Sequence, residues 1–191
     1  TTIIIVMKSG KTNFLKVKSD EINLLYLSQI EEQKGIYLLI NAFKKIKNNK
    51  VKLIIAGGGT EIKKMEDKIK DDKRINYLGY VKHEEINDLL AKVDLTIVPS
   101  LCYENAPRVI YESYANGVPV LVSAAGGSQE LVEKGITGEI FKTGDQEDLL
   151  NKINGFIKNI NNWRERSGYL KQKADAFATD LYVKKLFKFI Q

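Results

Sequence analysis

The 191-residue sequence contains one cysteine, one histidine and three prolines. A single cysteine, Cys102, excludes an internal disulfide, and a single histidine, His83, leaves no His/Cys cluster to hold a metal. No apolar run is long enough to span a bilayer and no segment has the pattern of a signal peptide, so the expected compartment is the cytoplasm. Two nucleotide-binding fingerprints are also missing. The turn at residues 28–35 (SQIEEQKG) lacks the glycines of Gly-x-Gly-x-x-Gly, and the Gly57-Gly58-Gly59 run follows a later strand with Ile62 in its sixth position. The P-loop pattern Gly-x-x-x-x-Gly-Lys-Ser/Thr does not occur. Asp71-Asp72-Lys73 is not an Asp-x-Asp metal motif and reads as a polar turn. Nor is charge of one sign extreme. The formal net charge of +6 comes mostly from lysines on the outer faces of predicted helices, an ordinary solvated surface. The sharper reading is attraction to anionic ligands or to a membrane surface. Nucleic acid is not an expected partner.

What is present is an alternation. Residues 23–28 (NLLYLS) read as a buried strand, and Ile36, Leu39, Ile40 and Phe43 then follow helical spacing. Further strands are expected at 51–56 (VKLIIA), 75–78, 95–98 (LTIV), 118–123 (VPVLVS) and 138–141. Helical stripes lie between them, among them one at 107–116 stopped by Gly117 and a short one at 128–133. Asp145 is placed to cap a helix carrying Leu149, Leu150, Ile153 and Ile157, and two more helices follow, the last with Tyr182, Leu186 and Ile190 on one face. Continuous apolar strands separated by helices predict an α/β fold, a Rossmann-like doubly wound parallel sheet of about six strands. Ligands of such a sheet bind beyond the carboxyl ends of the strands.

All three prolines fall in residues 99–127 (PSLCYENAPRVIYESYANGVPVLVSAAGG), the most informative stretch. It carries two acids, Glu104 and Glu112, with seven residues between them. On one helix they would point about 80° apart. Pro107 instead predicts Glu104 in the loop and Glu112 on the second helical turn, with the amides of a helix N-terminus open to a phosphate between them. Taken singly, Glu104 reads as a helix-entry residue and Glu112 as a surface acid.

Taken in order, the residues closely resemble the family-4 retaining glycosyltransferases of GT-B architecture. Glu104, Glu112, Ala115, Gly117, Pro119, Gly126, Gly127 and Glu130 follow that family's Glu-x7-Glu, small residue, Gly-x-Pro and Gly-Gly-x-x-Glu pattern. Lys34-Gly35 with Leu39 and Ala42-Phe43, residues 54–59, 78–81 and 91–100, and downstream 135–138 and 145–149 extend the match, which runs from about residue 24 to 157. The resemblance implies the C-terminal half of a GT-B enzyme, a nucleotide-diphosphate sugar as donor and no metal cofactor. It implies that Glu104 meets the donor sugar's hydroxyls and Glu112 the ribose hydroxyls, an apt task for a carboxylate, which accepts two charge-assisted hydrogen bonds from a diol. Lys34 matches the lysine that neutralises the diphosphate leaving group. Backbone groups at Ala106, Pro107 and Arg108 border the phosphates, and Val81 matches a position that meets the base through its main chain. Gln29 stands where the family usually has an arginine, with Arg108 as the other candidate for that charge.

His83 and Cys102 read as structural, a solvent-facing or packed imidazole and a packed thiol; Tyr103 either lines the sugar site or shields its loop. Residues 1–22, beginning with a strand pattern at 1–6, are expected to form an interdomain strand or linker, and 23–191 the donor-binding domain with its C-terminal helices. The acceptor-binding domain is absent from this sequence and is expected before Thr1 or on a separate subunit. Three functions follow: hexosyl transfer with retention to a glycan or lipid, at the cytoplasmic membrane face if the lysines meet lipid; nucleotide-sugar binding without activity of its own; or a GT-B nucleotide-sugar epimerase, which the Glu-x7-Glu spacing disfavours.

The substitution at position 29 gives a direct test. Gln29→Arg tightens nucleoside-diphosphate binding at low salt, and the gain fades as the Debye length shrinks to about 10 Å at 0.1 M salt. Lys34→Ala acts in the opposite sense and more strongly. Calorimetric titration across a salt series checks both. Unchanged affinity for Gln29→Arg at every salt concentration, with a loss for Arg108→Ala, moves the phosphate site to the helix after Glu104.

Overall fold

The computed structural model describes residues 20–176. The strands are β1 (Ile22–Leu27), β2 (Val51–Ala56), β3 (Ile75–Tyr77), β4 (Leu95–Val98), β5 (Val120–Ser123) and β6 (Gly138–Phe141). They form one six-stranded sheet in the order β3-β2-β1-β4-β5-β6, parallel throughout. The helices are α1 (Ile36–Lys44), α2 (Ile62–Ile69), α3 (Ile86–Leu90), α4 (Arg108–Ala115), α5 (Gln146–Lys158), α6 (Ile160–Glu165) and α7 (Ser167–Ala176). The expected doubly wound α/β sheet is what the chain forms. Its order reverses between β1 and β4, and the crevice beyond their carboxyl ends is where such folds place a ligand.

Strand periodicity supplies both cores. Leu24 and Tyr26 of β1 join Leu53 and Ile55 of β2 against Leu39, Ile40 and Phe43 of α1 and Leu149, Ile153 and Phe156 of α5. Leu25, pointing the other way, packs with Ile86 and Leu90 of α3. On that second face Val98, Val120 and Val122 meet Ile110 and Tyr114 of α4 and Leu170 and Ala174 of α7. Both faces being covered explains why the strands read as unbroken apolar runs rather than as alternation.

Several boundaries differ from the sequence reading. β1 begins at Ile22, a buried residue, so the expected linker at 1–22 ends inside the strand. β5 begins at Val120 rather than Val118. The amides of Gly117 and Val118 turn back to the carbonyls of Tyr114 and Ser113, both at 2.8 Å, which closes α4 and takes Val118 out of the ladder. The helix expected at 128–133 is a tight 3-10 turn, Gly127–Leu131. Asp145 caps α5 as expected, its side chain accepting from the amides of Glu147 and Asp148. The strand at 1–6 and the last helix with Tyr182, Leu186 and Ile190 lie outside the described residues.

After α5 the chain must pass from one face of the sheet to the other, and α6 does this around the amino-terminal edge of the strands. Trp163 stacks on Phe156 with ring centroids 5.5 Å apart. The Arg164 Nε donates to Asp94 Oδ1 at 3.0 Å, while Asp94 Oδ2 accepts from the Asn23 amide at 2.9 Å. Asp94 is buried, so Asp94→Ala removes the carboxylate that accepts from both the Arg164 guanidinium and the Asn23 amide and lowers stability by about 3 kcal/mol. Urea unfolding measures this.

Candidate functional site

A cleft of about 430 Å³ opens at the carboxyl ends of β1 and β4. Its walls come from elements far apart in sequence: Ser28, Gln29 and Lys34 after β1, Gly57 and Gly58 after β2, Tyr80, Val81 and His83 after β3, and Ser100, Glu104, Pro107, Arg108, Val109 and Glu112 after β4.

Lys34 ends a 3-10 turn, Glu32–Lys34, closed by Gly35 with φ +75°. A Cβ at Gly35 would lie 1.8 Å from the carbonyl oxygen of Pro99, so only glycine allows this approach. The Leu101 amide donates to the Gln33 carbonyl at 2.8 Å, a second link between the turn and the loop after β4. Together they bring Lys34 Nζ to Glu104 Oε1 at 2.5 Å, with both side chains about 20% exposed. Ser100 Oγ donates to the same carboxylate oxygen at 2.9 Å. Glu104 is held from behind by the Gly126-Gly127 pair. Gly127 N donates to the Glu104 carbonyl at 2.7 Å, and added Cβ atoms at Gly126 and Gly127 would fall 2.6 Å and 2.2 Å from the carbonyl oxygens of Glu104 and Asn105. The double glycine of the motif is thus the surface against which the Glu104 loop lies.

Glu112 sits on the second turn of α4, as the spacing predicted, with Arg108 one turn before it. Burial pushes the Glu112 carboxyl above its ordinary pKa, against the pull of the nearby Arg108 and His83 charges. His83 Nδ1 lies 3.9 Å from Glu112 Oε1. No side chain caps α4, and Pro107, Arg108 and Val109 line the cleft, so the helix's first amides, which have no intrahelical acceptor, stand at its wall. The arrangement offers Lys34 paired to Glu104 at one end, the half-buried Glu112 with Arg108 near it at the other, and a helix N-terminus between them.

A model described as "Glycosyl transferases group 1" matches residues 10–175. The chain belongs to that family. Among relatives of this group 1 glycosyltransferase chain is an uncharacterized glycosyltransferase of Methanocaldococcus jannaschii, 33% identical over 135 residues, 67% of this chain and 34% of that protein. Another is the lipopolysaccharide 1,2-N-acetylglucosaminetransferase of Salmonella typhimurium, 30% identical over 153 residues, 73% of this chain and 40% of that protein. The solved structure of Anabaena HepE in complex with UDP superposes with a TM-score of 0.78 at 25% identity, over 90% of this chain and 49% of that one. The catalytic domain of a Helicobacter pylori cholesterol-alpha-glucosyltransferase shares the fold, with a TM-score of 0.72 at 16% identity over 82% of this chain and 99% of that one. The chain spans between about a third and two fifths of the length of these curated relatives.

Of the residues singled out from the family's motifs, Lys34, Gln29, Val81, Glu104, Pro107, Arg108 and Glu112 all line the cleft. Ala106 is not among the lining residues. Tyr103 is 90% exposed and lies outside the cleft, its ring beside Gly126. Cys102 is half-buried, its sulfur 3.5 Å from Ser100 Oγ and 4.0 Å from Glu104 Oε1. Asp72 forms a side-chain pair with Arg74 at 2.7 Å and 2.9 Å, the local turn that the sequence suggested. Sequence reasoning missed Ser100, Tyr80 and the Gly57-Gly58 wall; His83 is solvent-exposed and begins a helical turn, as the sequence suggested, and its Nδ1 also lies 3.9 Å from Glu112 Oε1 at the cleft. The available signal was position: each directly follows a strand, at the carboxyl edge where ligands of this fold bind.

The raised Glu112 pKa predicts a stability effect with a definite sign. Above that pKa the folded chain holds a desolvated charge that the unfolded chain leaves in water, so Glu112→Gln stabilises the ligand-free domain at pH 7. The gain disappears as pH falls through the folded-state pKa and is absent below the ordinary carboxylate value of about 4.3. Urea midpoints for both proteins across this range check it; a Glu112→Gln advantage that persists at low pH contradicts burial as the cause.

Proposed function

We propose that this domain binds a nucleotide-diphosphate sugar in the β1/β4 cleft and, joined to an acceptor-binding domain, transfers the hexosyl group with retention to a glycan or lipid acceptor. The observation that carries this reading is the convergence of Lys34, Glu104, Glu112 and the α4 N-terminus on one cleft. Breaking the anomeric C–O bond leaves its electron pair on the diphosphate, and a fixed cation and helix amides at that oxygen lower the barrier. Lys34 supplies the cation once the phosphates replace Glu104 as its partner, and Arg108 is placed to add a second. Glu104, released, accepts hydrogen bonds from the sugar hydroxyls, and Glu112 from the ribose diol. Positive charge thus comes from side chains, and binding proceeds without a divalent metal. Anabaena HepE, crystallised with UDP and with UDP-glucose, makes these two compounds the first probes. The modest share of each relative that this chain covers is consistent with a separate acceptor-binding domain. Exposed Lys44 and Lys45 at the end of α1 and Lys63 and Lys64 on α2 suit contact with an anionic membrane surface.

A second reading has one observation in its favour. Gln29 lines the cleft where the family resemblance places an arginine, which suits a domain that holds the nucleotide-sugar without transferring it, or a subunit inactive alone. Calorimetry with UDP and UDP-glucose tests the binding that both readings share. Glu112→Ala weakens both ligands, whereas Glu104→Ala spares UDP and weakens UDP-glucose, each loss being about 1–3 kcal/mol. Equal losses for both ligands in both variants refute this division of roles, and a large loss on adding chelator refutes metal-free binding.

A further inference from the structure

We propose that His83 is a positioning residue of the donor site: it holds the Glu112 carboxylate for the ribose diol, so that nucleotide-sugar affinity follows the charge of one imidazole. The inference rests on the donor-site reading above and adds a residue which that reading does not use.

His83 begins a 3-10 turn, His83–Glu85, that leads into α3. Two bridges join this stretch to α4. Asn116 Nδ2 donates to Asn87 Oδ1 at 2.9 Å, and His83 Nδ1 lies 3.9 Å from Glu112 Oε1. Positions 83 and 87, like 112 and 116, are four residues apart, about one helical turn, so the two bridges run side by side. The asparagine bridge and the buried Ile86 fix the spacing of the elements whatever the charge on the imidazole. Glu85 does not compete for His83, because its carboxylate accepts from the Lys82 amide at 3.1 Å. The histidine is left lining the cleft, with its ring toward the carboxylate assigned to the ribose.

A carboxylate that receives a diol must be ionised and must keep lone pairs free. An ionised carboxylate has about four acceptor positions, so one oxygen near an imidazolium still leaves room for two hydroxyls. Burial works against ionisation of Glu112, and the two charges that oppose it are Arg108 and His83. An arginine is charged throughout the accessible pH range, whereas histidine is the residue type whose charge changes near neutrality. The other charged or titratable groups near the turn and the cleft are Tyr80, Lys82, Glu84 and Glu85 on the His83 stretch and the Lys34–Glu104 pair across the cleft.

The test is a double-mutant cycle read at two pH values. UDP-glucose is the probe because both of its phosphates are esterified and gain no proton near neutrality, unlike the terminal phosphate of UDP. Dissociation constants are measured by calorimetry at about pH 6 and about pH 8 for the unaltered chain, His83→Gln, Glu112→Gln and the double variant. Affinity of the unaltered chain is expected to fall about threefold between them, the size of a partly exposed ion pair. Both single variants lose that step, and the double variant binds as Glu112→Gln does. The thermal midpoint of His83→Gln stays that of the unaltered chain, because the Asn87–Asn116 bridge remains. A step that survives His83→Gln, an unaltered chain with no step, or losses that add independently of Glu112 would each overturn the proposal while leaving donor binding intact. Failure of the unaltered chain to bind either UDP or UDP-glucose at both pH values overturns the donor-site reading itself, and this inference with it.

Discussion

Two backbone contacts between the turn after β1 and the loop after β4 hold the charged end of the cleft together. One is the Leu101 amide on the Gln33 carbonyl, and the other is the approach of Gly35 to the Pro99 carbonyl. β1 and β4 are sheet neighbours although Lys34 and Glu104 are 70 residues apart in the chain. The sheet order places the two loops side by side, and these contacts set their separation to within the length of two side chains. The Gly126-Gly127 surface then fixes the Glu104 loop from the other side. A side chain at any of these glycines would separate the loops before it affected any ligand.

Charge in this domain is of two kinds. Asp94 with Arg164, and Asp72 with Arg74, are closed pairs in which the carboxylate also accepts a backbone amide. They fasten the α6 crossing and the entry to β3, and their partners complete them. Around the cleft the pairs are open. Lys34, Ser100 and nearby Cys102 all gather at a single oxygen of Glu104, and Glu112 is desolvated with His83 only at 3.9 Å. Burial of the Glu112 charge works against stability without a ligand, and under the donor binding proposed above the ribose diol would relieve it.

Much of this was determined by the sequence alone. The runs at 23–28, 51–56 and 95–98 read as strands buried on both faces, because Lys52 and Thr96 are the only polar residues inside them and no regular alternation marks a solvent side. Pro107 set Glu104 in a loop and Glu112 on a helix, since proline belongs at a helix entry. The ordered set from Lys34 to Glu130 carried the family. What the tertiary structure decided is which distant residues meet. The order β3-β2-β1-β4 brings the ends of four strands to one crevice, and so His83, Ser100, Tyr80 and the Gly57-Gly58 wall joined a site that local pattern could not assign to them. Periodicity reports the face on which a residue is buried, but the partner across a cleft depends on strand order and loop contact, which no single segment encodes.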